Sequence, residues 1–374
     1  MDTQSLRNIL CTFFDWHPAR ITTFAELILA VVKARTLRLK ELALHVTSKT
    51  DRLNPTQTSI VKIERFLFWQ EIDMQIVAFI IVHLLNLPGK IRIAIDRTNW
   101  QYGKQNLNFL VASIIYKNIS IPVVWIMLDK KGNSSNEERI ELTKKLLQII
   151  PASKIAVIVA DREFASEEWM MYLQKAKIPF GLRLKKSEQI THVNGGKMKF
   201  DKYFSGMKKG DLTSLTKKMY DSSIEVKITC LQLETEQLIL ASNIDFEEDI
   251  LLAYKDRWSI ERSFKALKTS GFNMEDTHIT DLGKLEKIFS MAAIALCICV
   301  IAGDVRDSFK PIKVKKHGRK AYSVFTYGFD LLRNFFTINM EVGSYLAEII
   351  GAIKTRIQMC FEQIQHCKAI FNSS

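Results

Sequence analysis

Residues 90–98 read KIRIAIDRT, and the assignment of the rest of the chain works outward from them. Ile91, Ile93 and Ile95 alternate with Arg92, Ala94 and Asp96, the two-residue period of a strand with one apolar face. Asp96 ends that alternation on the face opposite the isoleucines. Upstream the period is different. The stretches ITTFAELILAVVKARTLRLKELALHV and IVKIERFLFWQEIDMQIVAFIIVHLL, within 21–87, carry apolar residues at helical spacing on either side of a break at Asn54-Pro55. They predict a helical N-terminal domain over 1–88, with Lys33, Arg35, Arg38, Lys40 and Arg52 as its candidate DNA-facing cations, or equally a solvated helix surface.

Downstream, LNFLVASIIY and IPVVWIML read as two more strands. The loop KGNSSN leads to the helix EERIELTKKLLQII, the strand KIAVIVAD, the helix SEEWMMYLQKA and the strand PFGLRLK. Three strands, helix, strand, helix, strand is the order of a ribonuclease H-like α/β core, a mixed sheet flanked by helices, and its first part is placed at 89–184. From 185 to 249 the pattern turns short, strand-like and punctuated by glycine, which predicts a β-rich insertion. Helices of the core resume over 250–306. A basic loop, KPIKVKKHGRK, and C-terminal helices with a possible role in dimerisation occupy 307–374.

Composition bounds the function without deciding it. The chain has 374 residues and a net charge of +13, which favours a polyanionic partner. Its six cysteines show no C-x-x-C pairing and sit in apolar segments, which suits reduced thiols in a cytoplasm and speaks against zinc; this includes Cys360 and Cys367, with His366 nearby. The N-terminus lacks the basic start and apolar run of a signal peptide. The uncharged run 289–303 is shorter than the ~20 residues that span a bilayer and reads as a buried core helix, so no membrane partner is expected.

Residues 254–268, YKDRWSIERSFKALK, place one glutamate among basic and aromatic neighbours. On a helical wheel at about 100° per residue, Tyr254, Arg257, Glu261 and Lys268 fall in one narrow stripe. Ile260, Phe264 and Leu267 form an adjoining apolar stripe able to anchor the helix. Taken alone, this is an amphipathic surface helix with Glu261 paired to Lys265.

Two further acids change that reading. Asp96 ends one predicted strand and Asp161 ends the buried run IAVIVA. With Glu261 they make three hard oxygen donors, suited to Mg²⁺ or Mn²⁺ together with substrate phosphate oxygens. Two such ions activate a water or 3′-hydroxyl and stabilise the leaving oxygen of an in-line phosphoryl transfer. Arg257, Lys268 and Tyr254 would then hold the DNA phosphates, by a bidentate contact, a point charge and a hydroxyl donor respectively.

The spacing Tyr254-x2-Arg257-x3-Glu261-x6-Lys268 resembles the Tyr-Arg-Glu-Lys (YREK) signature of bacterial insertion-sequence transposases of the DDE type, insertion-sequence family four. DRT at Asp96 is similar to that family's first-aspartate motif, VADREF at Asp161 to its second, and RWSIE to its third. The resemblance covers roughly residues 90–330. It implies an enzyme that binds the terminal inverted repeats of its own element as double-stranded DNA. It also implies that Asp96 bridges two Mg²⁺ ions while Asp161 and Glu261 each help hold one. Nicking would free a 3′-hydroxyl at the element end, which in related enzymes forms a hairpin before strand transfer into target DNA. A homodimer would join the two ends. One departure is a missing base-stacking tryptophan in the insertion, for which Tyr203, Phe204 and Tyr220 are the aromatic alternatives. Lys310, Lys313, Lys315, Lys316, Arg319 and Lys320 are expected to track phosphates, or to form a solvated linker. Two rival readings stay open: a ribonuclease H-like nuclease or resolvase, and a catalytically silent DNA-binding protein derived from a transposase.

Overall fold

In a computed structural model, the described residues are 3–46, 55–191, 196–218, 225–245, 247–316, 318–337, 348–349, 351–353 and 355. The expected break at Asn54, most of the expected C-terminal helix with Cys360, His366 and Cys367, and the residues Arg52 and Tyr220 lie outside them.

The chain opens with helices α1 (Thr3–Cys11), α2 (Pro18–Ala34), α3 (Leu39–Ala43), α4 (Pro55–Trp69) and α5 (Met74–Leu85). Strands β1 (Ile91–Tyr102), β2 (Gln105–Tyr116) and β3 (Ile119–Met127) follow, then α6 (Asn136–Ile149), β4 (Ile155–Ala160), α7 (Glu167–Lys175) and β5 (Phe180–Arg183). The next stretch holds β6 (Gln189–Thr191), β7 (Lys197–Lys199), α8 (Phe200–Tyr203), β8 (Leu212–Lys218), β9 (Glu225–Gln232) and β10 (Gln237–Ser242). Helices α9 (Glu247–Lys255), α10 (Trp258–Lys265), α11 (Leu282–Phe309) and α12 (Val324–Thr337) come last. Contacts divide the chain into two units: Pro88–Asn99 with Asn108–Glu261, and Met1–Leu87 with Trp100–Leu107 and Arg262–Ser374.

The first of these units holds the sheet. Its eight strands run in the order β3-β2-β1-β4-β5-β10-β9-β8, with β1, β4 and β5 parallel to one another and the flanking pairs β2/β3, β5/β10, β10/β9 and β9/β8 antiparallel. This is the mixed sheet the strand-helix alternation predicts. The register is explicit at the centre, where Ile95 pairs with Ala160. An aspartate follows each of these residues: Asp96, within β1, which continues to Tyr102, and Asp161, just past the end of β4, so the two acids are neighbours, with adjacent strands about 5 Å apart. Local chemistry sets the connections. Ser135 accepts from the backbone N–H of Glu138 while the Glu138 carboxylate accepts from the N–H of Ser135 at 2.6 Å, a capping box that starts α6. Lys117 turns the β2–β3 hairpin at φ 53°.

The β-rich stretch differs in one respect from a self-contained insertion. Among the described residues, β6 and β7 form a separate two-stranded sheet, while β10, β9 and β8 continue the main sheet from β5. Edge pairing explains the difference: β5 offers a free side for an antiparallel partner, and Leu240, Ala241 and Ser242 take it opposite Arg183, Leu182 and Gly181.

The other unit is helical. α2 and α5 pack on α11, and α12 packs on α11 and α2, so the N-terminal helices share a core with those after residue 262. α11 is 28 residues long, longer than the run 289–303, because it continues into polar ends. By length and apolarity α11 suffices to cross a membrane; in the protein 94% of its apolar window is buried. Its crossing with α12 is a glycine contact. A Cβ on Gly303 would stand 1.9 Å from the Val324 carbonyl, and one on Gly328 would stand 1.9 Å from that of Cys299.

Candidate active site

The face of β1 that carries Arg92, Ala94 and Asp96 is covered by the α9–α10 junction. Arg92 pairs with Asp256, and the neighbouring Arg257 reaches Asp96. Ser120 of β3 and Ser259 of α10 are hydrogen-bonded and buried, which holds the start of α10 against the same sheet. On β5, Gly181 admits α9. A Cβ there would meet Ile250 Cδ1 at 2.0 Å, so a larger residue would force the Ile250 side chain to shift.

The continuous helix expected over 254–268 is broken. α9 ends at Lys255, and the N–H groups of Asp256, Arg257, Ser259 and Ile260 bond three residues back, in the tight turns of a 3₁₀ pattern. α10 ends in a π-helical turn over Ala266–Ser270. Each irregularity rotates the residues that follow, so the stripe drawn on a single wheel does not describe one helix face.

Five of the singled-out residues come together in the sheet unit. Arg257 Nη1 donates to Asp96 Oδ2 at 3.3 Å, and Nη2 donates to Glu261 Oε1 at 2.9 Å. Tyr254 Oη donates to Asp161 Oδ1 at 3.3 Å. The Arg257 guanidinium lies over the Tyr254 ring, 5.6 Å from its centroid. Tyr254 and Arg257 are 6% and 4% exposed, so both face the acids and not solvent. The Nε of Arg257 is buried without an acceptor. Glu261 pairs with Arg257, one turn before it, and not with Lys265 as the surface-helix reading had it. Lys268 belongs to the helical unit, where it pairs with Glu275 at 2.7 Å and its ammonium lies over Trp100.

Electrostatics follow from this packing. Burial pushes the Asp96 carboxyl up to about 6; the charges of Glu163 and Asp161 add to that, while the Arg97 N–H and Arg257 oppose it. Burial likewise pushes the Tyr254 hydroxyl up to about 12, which keeps it a donor to Asp161. For Arg257, burial works against the charge, but Tyr254, Asp161, Asp96 and Glu261 together outweigh it and raise the guanidinium.

Among the described residues, no three His, Cys, Asp or Glu side chains are gathered as ready ligands for one metal ion. Arg257 pairs with Asp96 and Glu261 instead, and Tyr254 donates to Asp161. The donor chemistry nonetheless fits a hard divalent cation. The donors are all oxygens, two of them are carried by adjacent parallel strands or the residue just after one, and Asp96 is crowded by other acids in a buried setting where Arg257 supplies the compensating charge.

Several other expectations fall elsewhere. Lys33 and Arg35 lie over Phe336 and Phe329 of α12, and Arg38 makes a half-exposed pair with Asp276. Phe204 is 3% exposed and stacks on Phe200, a core position that leaves its face closed to a base. In the basic loop, Lys320 pairs with Asp307 and bridges to Val314 across the loop. The described cysteines, Cys11, Cys230, Cys297 and Cys299, are free thiols.

Three residues escaped the sequence reading. Arg97 and Glu163 stand one and two positions after the aspartates and bind each other through two hydrogen bonds, Nε to Oε1 at 3.2 Å and Nη2 to Oε2 at 3.3 Å. Arg139 is 5% exposed and donates to the carbonyls of Glu163 and Phe164. Its signal was its position on α6, where 139, 142, 143 and 146 share the buried face.

The geometry is that of an α/β sheet with two neighbouring aspartates on adjacent parallel strands, one within β1 and one just past β4. The family model of the transposase DDE domain matches residues 87–298, more than half of the chain, and the chain belongs to that family. It is a DDE transposase, and its substrate is DNA. No curated protein matches it.

Proposed function

We propose that this chain is an insertion-sequence transposase of the YREK type. It binds the terminal inverted repeats of its own element and catalyses metal-dependent strand cleavage followed by strand transfer. The observation that carries the reading is the rung Ile95–Ala160, which sets Asp96 and Asp161 side by side on parallel strands, with Glu261 linked to Asp96 through Arg257.

Asp96, Asp161 and Glu261 would hold Mg²⁺, as two ions, or Mn²⁺. When bound, such ions activate a water or 3′-hydroxyl oxygen for in-line attack and offset charge on the leaving oxygen. The protein's own part is positioning. The parallel strands fix two carboxylates, and α10 brings the third. Arg257 holds two of them until DNA and metal compete for its partners. Once released, its planar fork suits a phosphate of the transferred strand. Tyr254 keeps its proton at neutral pH and so remains a hydroxyl donor to a phosphate oxygen or to Asp161. Lys268 would contribute a further phosphate contact. Joining two ends calls for a homodimer, and the enzyme would work in the bacterial cytoplasm.

The test uses purified full-length protein and linear DNA carrying the element's end. The expected result is an end-specific nick that leaves a 3′-hydroxyl with Mg²⁺ and is lost with EDTA. Cleavage that ignores the end sequence would favour a nuclease instead.

A further inference from the structure

We propose that Arg97 and Glu163 form a positioning strut that sets the two aspartates relative to each other, with Arg139 as its anchor. The inference rests on the reading of Asp96 and Asp161 as metal-binding groups. Arg97 follows Asp96 directly, and its N–H donates to Asp96 Oδ1 at 2.7 Å. Glu163 stands two residues beyond Asp161, in a turn closed by the Phe164 N–H donating to the Asp161 carbonyl at 3.0 Å. The bidentate pair therefore ties β1, one residue after Asp96, to the turn after β4, two residues after Asp161.

Its surroundings are built to hold it there. The Arg97 and Glu163 side chains are 14% and 25% exposed, so water screens the pair little. Arg97 Nη1 also donates to Asn108 Oδ1 at 3.3 Å, and Asn108, 2% exposed, is itself fixed by the carbonyls of Lys130 and Gly132. At the other end, Arg139 Nη2 donates to the Glu163 carbonyl at 3.0 Å and Nη1 to that of Phe164 at 3.3 Å, while the guanidinium lies over the Phe164 ring. A backbone held by a buried guanidinium has few ways to shift. Partners that orient ligands in this way typically change metal affinity by about tenfold or more when removed.

The test measures Mn²⁺ binding to the full-length protein by electron paramagnetic resonance, alongside end cleavage and thermal unfolding. Arg97→Ala and Glu163→Gln are each expected to weaken Mn²⁺ binding by about tenfold, with the unfolding midpoint kept within a few degrees and DNA-end binding unchanged. The double variant is expected to be no worse than either single one, because both remove the same strut. Arg97→Lys, which keeps one contact, is expected to recover part of the affinity and guards against misfolding of the alanine variant. Wild-type Mn²⁺ affinity in Arg97→Ala and Glu163→Gln, or additive losses in the double variant, would overturn the strut. Asp96→Ala separates the two readings. If it binds Mn²⁺ as well as wild type, the metal-site reading fails and the strut's role goes with it; if it loses the ion while Arg97→Ala keeps it, only the strut fails.

Discussion

Arg257 donates from Nη1 to Asp96 Oδ2 at 3.3 Å, with the arginine side chain 5% exposed. A buried guanidinium thus neutralises the carboxylate that the proposed chemistry needs for a metal. Removing one member of a buried pair leaves an uncompensated charge, at a cost of about 3 kcal/mol. Arg257→Ala is expected to lose roughly that much in denaturant titration without divalent ions. Added Mg²⁺ should return more stability to Arg257→Ala than it adds to wild type, since in wild type it competes with the arginine. Equal gains in both proteins would count against the competition.

The raised carboxyl of Asp96 makes stability depend on pH. Its folded value, about 6, lies above its ordinary 3.8, so folding binds a proton between the two. The sign follows: the contribution is complete below about pH 3.8 and is lost as pH rises through about 6. The gap corresponds to roughly 3 kcal/mol at most. In metal-free protein, Asp96→Asn should flatten this part of the stability–pH curve, read by denaturant titration at steps from pH 4 to 7. A curve unchanged by the substitution would place the titration elsewhere.

Gly181 sets how closely α9 lies on β5. Gly181→Ala drives a methyl group to 2.0 Å from Ile250 Cδ1, and the relief has to come from Ile250 or from the helix that carries Tyr254. The expected cost is about 1–3 kcal/mol, with a fall in end cleavage larger than the fall in end binding. Shortening Ile250 to alanine in the same protein should recover part of the cleavage, which kinetics on the double variant will show.

How far the site was legible follows from which patterns are local. The alternation of Ile91, Ile93 and Ile95 is a property of one strand, and so is the run from Ile155 to Ala160; the run places Asp161 at a strand end, but the strand of Asp96 continues to Tyr102, beyond the apolar alternation that marks it. What Asp256 and Arg257 do was not legible, because a wheel assumes an unbroken helix. The junction is set by non-local partners instead: Arg92 takes Asp256, Asp96 takes Arg257, and Ser120 takes Ser259. Strand pairing across long separations hid the sheet's full extent in the same way, since nothing in QLILAS announces Gly181 and Leu182 as its neighbours. The aromatic and acidic partners of the basic residues of 33–38, Phe336, Phe329 and Asp276, were likewise hidden because they lie far along the chain.

In the helical unit the α11–α12 crossing predicts its own sensitivity. Gly303→Ala and Gly328→Ala each place a methyl group within 2 Å of a backbone carbonyl oxygen that no rotamer change can move. Each should lower stability by about 3 kcal/mol, at the upper end of overpacking costs, measured by thermal unfolding. Gly351→Ala, where the added methyl group meets nothing within 4 Å among the described residues, should not lower the midpoint.

The central claim is that Asp96, Asp161 and Glu261 act together as the ligands for end cleavage. It is tested by Mg²⁺-dependent nicking of DNA carrying the element's end, with end binding measured by mobility shift on the same preparations. Asp96→Ala, Asp161→Ala and Glu261→Ala should each abolish the nick while end binding stays near the wild-type level. A wild-type rate of nicking by any one of the three variants would contradict the account.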